Sequence, residues 1–356
     1  DVSPVRRGAV PVPARFKPVL AWLGSDSAAL LGIPGAQFEA VAYEERPFSY
    51  VLKVAVYADG GAAPDRHLFI KIFKAGSSPD DVRRMRERVQ SDFEKTRELY
   101  DAMSRWPGLG TVRPVAYSIE HLASVTEEAP GETLLAHLQT HAAWLSTDRD
   151  AGEPEGTMKR VGAWLRAFQS TAPPVGRVSI DDLRRYIDIR LERLTSLPLA
   201  NFTGEDRRRA LQRIEQLGAA ADPVDLEEVR VHRDLAPGNI LVSRDRITVL
   251  DFAMSGTGSR LHDLTRLFLQ IELVALKPQF RRSVLRRAAR ALLAGFDTEV
   301  TTDRPMFRLL SLLHHVNHLG TLAKSRAPFP VKAYNWHVRR AHRAWIEREL
   351  RMTERG

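Results

Sequence analysis

The chain has 356 residues, of which 44% are hydrophobic and 27% charged, and a formal net charge of +9. This length and apolar content allow two sizeable cores, while no apolar stretch is long enough to cross a bilayer. Because the sequence contains no cysteine, disulfides, thiolate metal sites and a cysteine nucleophile are excluded.

The residue pattern in the first third of the chain predicts a small β-sheet. Residues 18–33 predict a short helix, and β-forming residues at 38–43, 50–57 and 68–73 predict strands. The third of these strands carries one internal charge, Lys71. Lysine is rarely buried without a partner, so phosphate binding explains Lys71 better than a solvated edge does. Lys74, just past the strand, is the fallback.

A long helix is predicted next, from about Pro79 to Met103, because apolar residues recur there at helical spacing. Asp92 lies on this apolar stripe, whereas Glu94 and Glu98 lie off it. Asp92 is therefore the acid on this helix that we expect to pair with Lys71. A solvated break in the stripe is the alternative.

The most informative segment is His232-Arg233-Asp234, followed by Asn239 and, after a short predicted strand, Asp251. Phosphoryl transfer needs a carboxylate that orients the attacking hydroxyl and oxygen ligands that hold Mg²⁺ against the phosphates. Asp234 fits the first role, and Asn239 and Asp251 fit the second. The same residues in the same order form the motif H-R-D-x-x-x-x-N and D-F of protein kinases. The alternative is a chance match of turn residues beside a Pro-Gly pair.

This segment resembles the aminoglycoside phosphotransferase and choline kinase family, and it is also similar to bacterial kinases of lipopolysaccharide and other surface glycans. The resemblance covers most of residues 40–270 and is strongest at 231–263. It implies an α+β, bilobal protein-kinase-like fold, with an antiparallel sheet and one main helix in a small N-lobe and a larger, mostly helical C-lobe. We expect a nucleotide-binding lobe at 1–126 with an extension at 1–37, a hinge at 127–131, and a catalytic and acceptor-binding lobe at 132–356.

The resemblance also implies nucleotide contacts in the first lobe. No G-x-G-x-x-G loop is present; residues 44–49 take its place, and Ser49 is expected to touch a phosphate, although plain turn chemistry explains a lone serine equally well. In the hinge, Glu127 and Ala129 are expected to contact adenine through main-chain atoms. Lys71 would hold the α- and β-phosphates.

The segment after Asp251 distinguishes this chain from protein kinases. Residues 253–262 run directly into a helical pattern at Asp263, which leaves no room for a peptide-binding activation segment. By resemblance, Asp263 buttresses the catalytic loop. The alternative is an acid that faces the dipole at a helix N-terminus.

The excess positive charge lies at the end of the chain, because residues 277–356 hold 17 basic and 6 acidic side chains. Such a surface attracts anionic partners. It disfavours an aminoglycoside acceptor and favours an anionic sugar, a lipid-linked glycan or peripheral contact with an anionic membrane surface. Solvated helix faces are the alternative. Nucleic acid is not expected, because no binding motif or aromatic platform accompanies the charge.

Together these features predict a phosphotransferase with an alcohol group as acceptor, which uses ATP and Mg²⁺ to phosphorylate a small molecule, sugar or glycan. Dependence on ATP places it in the cytoplasm, with the inner face of the membrane as a peripheral location. The alternative is a catalytically weak, nucleotide-binding regulator of the same fold. The missing glycine loop and the aspartate at position 92 favour that alternative.

Overall fold

The computed structural model describes residues 10–76, 78–145 and 152–352. Within them the helices are α1 (Lys17–Ser25), α2 (Ser27–Leu31), α3 (Pro79–Met103), α4 (Leu134–His141), α5 (Glu153–Gln169), α6 (Ile180–Thr195), α7 (Gly204–Ala219), α8 (His262–Val274), α9 (Arg282–Phe296), α10 (Pro305–Lys324) and α11 (Val331–Arg351). The strands are β1 (Gln37–Glu45), β2 (Ser49–Tyr57), β3 (Arg66–Phe73), β4 (Leu109–Thr111), β5 (Pro114–Ser118), β6 (Ala123–Glu127), β7 (Glu132–Thr133), β8 (Gly176–Arg177), β9 (Glu227–Val231), β10 (Ile240–Val242), β11 (Ile247–Val249) and β12 (Gly256–Ser259).

The chain forms two compact units. The first comprises the described residues up to Gly131 together with Ser243–Ala253, and the second comprises Glu132–Val242 and the described residues from Met254 onward. The segment 243–253 is expected from the sequence in the C-terminal lobe, and the structure differs there. It belongs to the first unit because β11 pairs in parallel with β4. Asp251 is therefore a residue of the first unit.

The first unit is built on an antiparallel sheet with the strand order β1-β2-β3-β6-β5. Its central strand β3 pairs with β2 on one side and with β6 on the other. Helices α1 and α2 contribute apolar side chains to the same core cluster as Leu52, Ile70 and Val125. Helix α3 packs against β4 and β5.

Helix α3 begins where its sequence supplies a cap. The Ser78 hydroxyl accepts a hydrogen bond from the Asp81 N–H at 3.1 Å, and Pro79 fills the first helical position, where its missing N–H costs nothing. The stripe predicted from helical spacing is the buried face, and Asp92 lies on it together with Val89 and Phe93.

The second unit is mostly helical, with a small antiparallel sheet in the order β12-β9-β8. Its tightest contact is between α5 and α9. A Cβ on Gly162 would overlap the Leu292 carbonyl oxygen, and one on Gly295 would overlap that of Lys159, so the two backbones touch directly. On α5, Trp164 and Phe168 are fully buried.

The predicted α+β architecture is confirmed, with an antiparallel sheet and one long helix in the first unit and a larger, helical second unit. Across the described residues, no helix is both long and apolar enough to span a membrane.

Candidate active site

Lys71 lies in the middle of β3, opposite Val51 of β2 and Ser124 of β6. Its ammonium forms an ion pair with Asp251 at 3.1 Å and lies 4.7 Å from the ring centroid of Phe73. The strand fixes the base of the side chain, and the carboxylate fixes its tip. The first unit thus holds a lysine in direct contact with an aspartate, a residue whose carboxylate can also bind a metal ion.

Asp251 and Arg233 both have left-handed backbone conformations, with φ of 63° and 64°. Side chains with a Cβ avoid this region, and such strain is concentrated at functional sites. Both residues belong to the motif that predicted the site. Asp251 adopts this conformation two residues after the end of β11, and its carboxylate contacts Lys71.

Asp92 is buried on α3, and its Oδ1 atom has no hydrogen-bond partner. Burial raises the pKa of its carboxyl group to about 6, and the nearby Lys71 charge opposes this rise. The predicted direct pairing of Lys71 with Asp92 is not formed in this structure, because the lysine is paired with Asp251. An aspartate side chain is one methylene shorter than the glutamate typical of kinases, which reduces its reach.

The residues expected to contact the nucleotide lie at the start of β2, at the end of β6 and just after β6. Ser49 is the first residue of β2 and is buried opposite Phe73. The N–H of Glu127 donates to the Arg113 carbonyl oxygen at 2.9 Å. The Glu127 carboxylate pairs with the same arginine at 2.9 Å. Any adenine contact of Glu127 must therefore use its carbonyl oxygen. Ala129 follows the end of β6 and is half-buried.

In the second unit, Asp234 is braced by Arg266 of α8. The guanidinium donates to Asp234 Oδ1 at 2.7 Å, and the Asp234 side chain remains 47% exposed. The carboxylate is thus oriented and still accessible. Asn239 donates from Nδ2 to the Asp234 carbonyl oxygen at 3.0 Å, which leaves Asn239 Oδ1 as its metal-binding atom.

Asp263 anchors the catalytic loop. Its carboxylate is fully buried and accepts hydrogen bonds from the N–H groups of His232 at 2.6 Å and Arg233 at 2.8 Å. These bonds hold the strained turn before Asp234. Asp263 also lies in the first turn of α8, so the two interpretations of this residue, loop anchor and helix N-terminal acid, describe the same carboxylate.

Arg266 is a site residue that the sequence analysis missed. The available signal was its position three residues after Asp263 on one helix, which places the two on the same face. That spacing alone does not identify Asp234 as its partner.

The fold and these residues define a kinase-like phosphotransferase. Residues 51–302 match the family model of the phosphotransferase enzyme family (APH). This match spans more than half of the chain, and the chain therefore belongs to that family, as the motif at 231–251 predicted.

Several solved structures have a similar fold. Aminoglycoside phosphotransferase APH(4)-Ia, in a complex with ADP and hygromycin B, superposes with a TM-score of 0.55 at 13% identity, covering 94% of this chain and 98% of that one. The amicoumacin kinase hAmiN, with AMP-PNP and Ca²⁺, gives 0.53 at 16% identity, covering 94% and 95%. Choline kinase from Cryptosporidium parvum gives 0.52 at 13% identity, covering 95% and 97%. At these identities the likeness is one of fold. No curated protein matches the chain.

Proposed function

We propose that this protein transfers the γ-phosphoryl group of ATP to a hydroxyl of a small molecule, sugar or glycan. The observation that carries the proposal is the accessible Asp234 carboxylate, which Arg266 orients and the loop anchored by Asp263 presents. A carboxylate held in this way can accept the hydroxyl proton as the oxygen attacks.

The first unit supplies the nucleotide-binding groups. Lys71 would bind the α- and β-phosphates once released from Asp251, which is possible because both side chains are partly exposed. Ser49 and the main chain of Glu127 and Ala129 would add contacts to phosphate and adenine. Asp92 would receive Lys71 in the nucleotide-bound state, which would give the buried Oδ1 atom a partner.

Asp251 and Asn239 would hold Mg²⁺. Both present the oxygen atoms that Mg²⁺ prefers, and the Asn239 amide is already oriented by its bond to Asp234. When bound, the metal neutralises charge on the phosphates. The carboxylate of Asp251 supplies the anionic ligand, and that of Asp234 is left for the acceptor hydroxyl.

The acceptor is proposed to be anionic or lipid-linked. The helices of residues 277–356 carry most of the excess positive charge, which raises the local concentration of anions and repels polycations. This charge also favours peripheral contact with an anionic membrane surface on the cytoplasmic side, where ATP is available.

A nucleotide-binding regulator with little turnover is the second candidate. The observation in its favour is the absence of the Lys71–Asp92 pair, with Lys71 held by Asp251. The two functions differ in one property, because only the enzyme transfers the γ-phosphoryl group.

The test is transfer of label from γ-labelled ATP with Mg²⁺ into fractionated cell extract, comparing the wild type with Asp234→Asn. The variant should bind ATP normally and lose most transfer. Asp245→Asn, at an exposed turn, is the control and should keep full activity. Near-normal transfer by Asp234→Asn would refute the assigned base, and ATP binding without transfer by the wild type would favour the regulator.

A further inference from the structure

The second unit contains a cavity of about 770 Å³ lined by α8, α9, α10 and α11. It adjoins a smaller cavity of about 220 Å³. The residues that line both are Leu269, Glu272, Arg286, His315, Trp345 and Arg348. The two spaces therefore form one ligand-sized site, which we call the arginine cavity.

The charge of the arginine cavity is strongly positive. Its lining includes four arginines but a single carboxylate, that of Glu272. Arg282 donates to the Ala275 carbonyl oxygen. Arg286 and Arg348 interact electrostatically with Glu272, where they oppose the rise in its pKa that burial causes. Neither of them, nor Arg290, approaches a carboxylate within 4.0 Å among the residues that the structure describes.

Three arginines of the same helical segment that lie outside the cavity form ion pairs. Arg304 binds Asp225 at 2.9 Å, and Arg308 binds Glu349 at 2.9 Å. Arg287, next to Arg286 on α9, binds Glu155. The second unit thus contains carboxylates that form ion pairs with arginines outside the cavity. The cavity brings three arginines without such an ion pair together around one carboxylate.

The rest of the lining suits a ligand with polar and apolar parts. Trp345 stacks on His315 with ring centroids 4.1 Å apart. Hydroxyls line the other end, those of Thr298, Thr301 and Thr302. His315 remains neutral because burial holds its pKa well below the usual value, so it adds no charge at neutral pH.

We propose that the arginine cavity binds a phosphomonoester that also carries hydroxyl groups, such as a sugar phosphate or a phosphorylated lipid headgroup. Arginine forks match phosphate oxygens bidentately. Glu272 is placed to accept hydrogen bonds from ligand hydroxyls, and Trp345 offers an apolar face.

The arginine cavity is separate from the Arg266 guanidinium, which orients Asp234. Arg266 is not among the residues that line the cavity. Leu269 and Leu273, one and two turns after Arg266 on α8, do line it, so the cavity lies beside the Asp234 contact and does not include it. Binding at the cavity does not depend on the proposed phosphoryl transfer and can be measured without ATP.

The experiment is calorimetric titration of the full chain with glucose 6-phosphate, with glucose as the neutral control. The variants are Arg286→Gln and Arg348→Gln, and the matched control is Arg287→Gln, which removes the same charge from the next position of α9, outside the cavity lining. Loss of a charged hydrogen bond should weaken binding at least about tenfold in the first two variants. The control should bind as the wild type does.

A second arm uses phosphatidylcholine vesicles with and without phosphatidylinositol 4-phosphate, whose headgroup carries a phosphomonoester and free hydroxyls. Binding only to the vesicles that contain this lipid, lost in Arg286→Gln and Arg348→Gln, would support the cavity and identify a lipid as the source of the phosphate. Equal weakening in Arg287→Gln would show a general charge effect and overturn the proposal. Failure of both glucose 6-phosphate and the vesicles to bind would overturn it as well.

Discussion

Removal of the Asp263 carboxylate should destabilise the second unit by far more than a helix-dipole effect. In Asp263→Ala, the N–H groups of His232 and Arg233 lose their acceptor, which is fully buried. A hydrogen bond to a charged group contributes about 1.5–3 kcal/mol, so two such bonds predict a loss of about 3–6 kcal/mol. The favourable interaction with the α8 dipole alone would account for only about 0.3–1 kcal/mol.

Asp182→Ala is the matched control, because Asp182 is also an acid in the first turn of a helix, α6, but is exposed. Urea unfolding followed by tryptophan fluorescence would give the free energies of unfolding, since the chain has six tryptophans. Asp263→Asn keeps one acceptor oxygen, so its free energy of unfolding should lie between those of Asp263→Ala and the wild type.

The reasoning would be refuted if Asp263→Ala cost no more than Asp182→Ala. Such a result would mean that the loop before Asp234 holds its conformation without the carboxylate. The turnover of Asp263→Ala provides a second measurement, because a loop without its anchor should misplace Asp234 and lower the transfer rate while ATP affinity is kept.

Three further results are expected. Burial raises the pKa of Asp92 from 3.8 to about 6. The stability that its protonated form contributes is therefore present below about pH 4 and is lost as the pH rises through 6, about 3 kcal/mol in total. Urea unfolding of Asp92→Asn at several pH values should lack this loss. Gly295→Ala should cost about 1–3 kcal/mol or more, because its Cβ meets the Lys159 backbone, whereas Gly156→Ala, in open space, should be neutral or stabilising in thermal melts. Arg266→Met should lower kcat about tenfold with little change in the KM for ATP, and Arg266→Lys should restore part of it; an unchanged kcat would remove Arg266 from the site.

The sequence singles out those candidate site residues that lie close together in the chain. Asp234, Asn239 and Asp251 lie within a short segment, where turn chemistry and spacing are sufficient to suggest their roles. Lys71 is also a candidate from the sequence, because one charge inside an apolar strand is conspicuous. Helix α3 was predicted with its bounds, since its cap and apolar stripe are both visible in the sequence.

Contacts between distant segments could not be predicted in the same way. The Lys71–Asp251 pair joins residues 180 positions apart, and the choice between Asp251 and Asp92 depends on side-chain reach, which spacing does not report. The Arg266–Asp234 contact depends on where α8 packs. Likewise, the parallel pairing of β11 with β4 has no local sequence signal, because strand pairing is set by the tertiary fold.

The discontinuity of the first unit has a consequence for how the protein is made. Its sheet strands and α3 are synthesised early, but β11 and Asp251 follow only after more than a hundred residues of the second unit have left the ribosome. The growing chain therefore carries an incomplete first unit for much of its synthesis, with Lys71 lacking its carboxylate partner, and long-range closure of this kind is slow. A fragment that stops at Gly131 would lack β11 and Asp251. Nucleotide binding should therefore be acquired only after translation has passed Ala253.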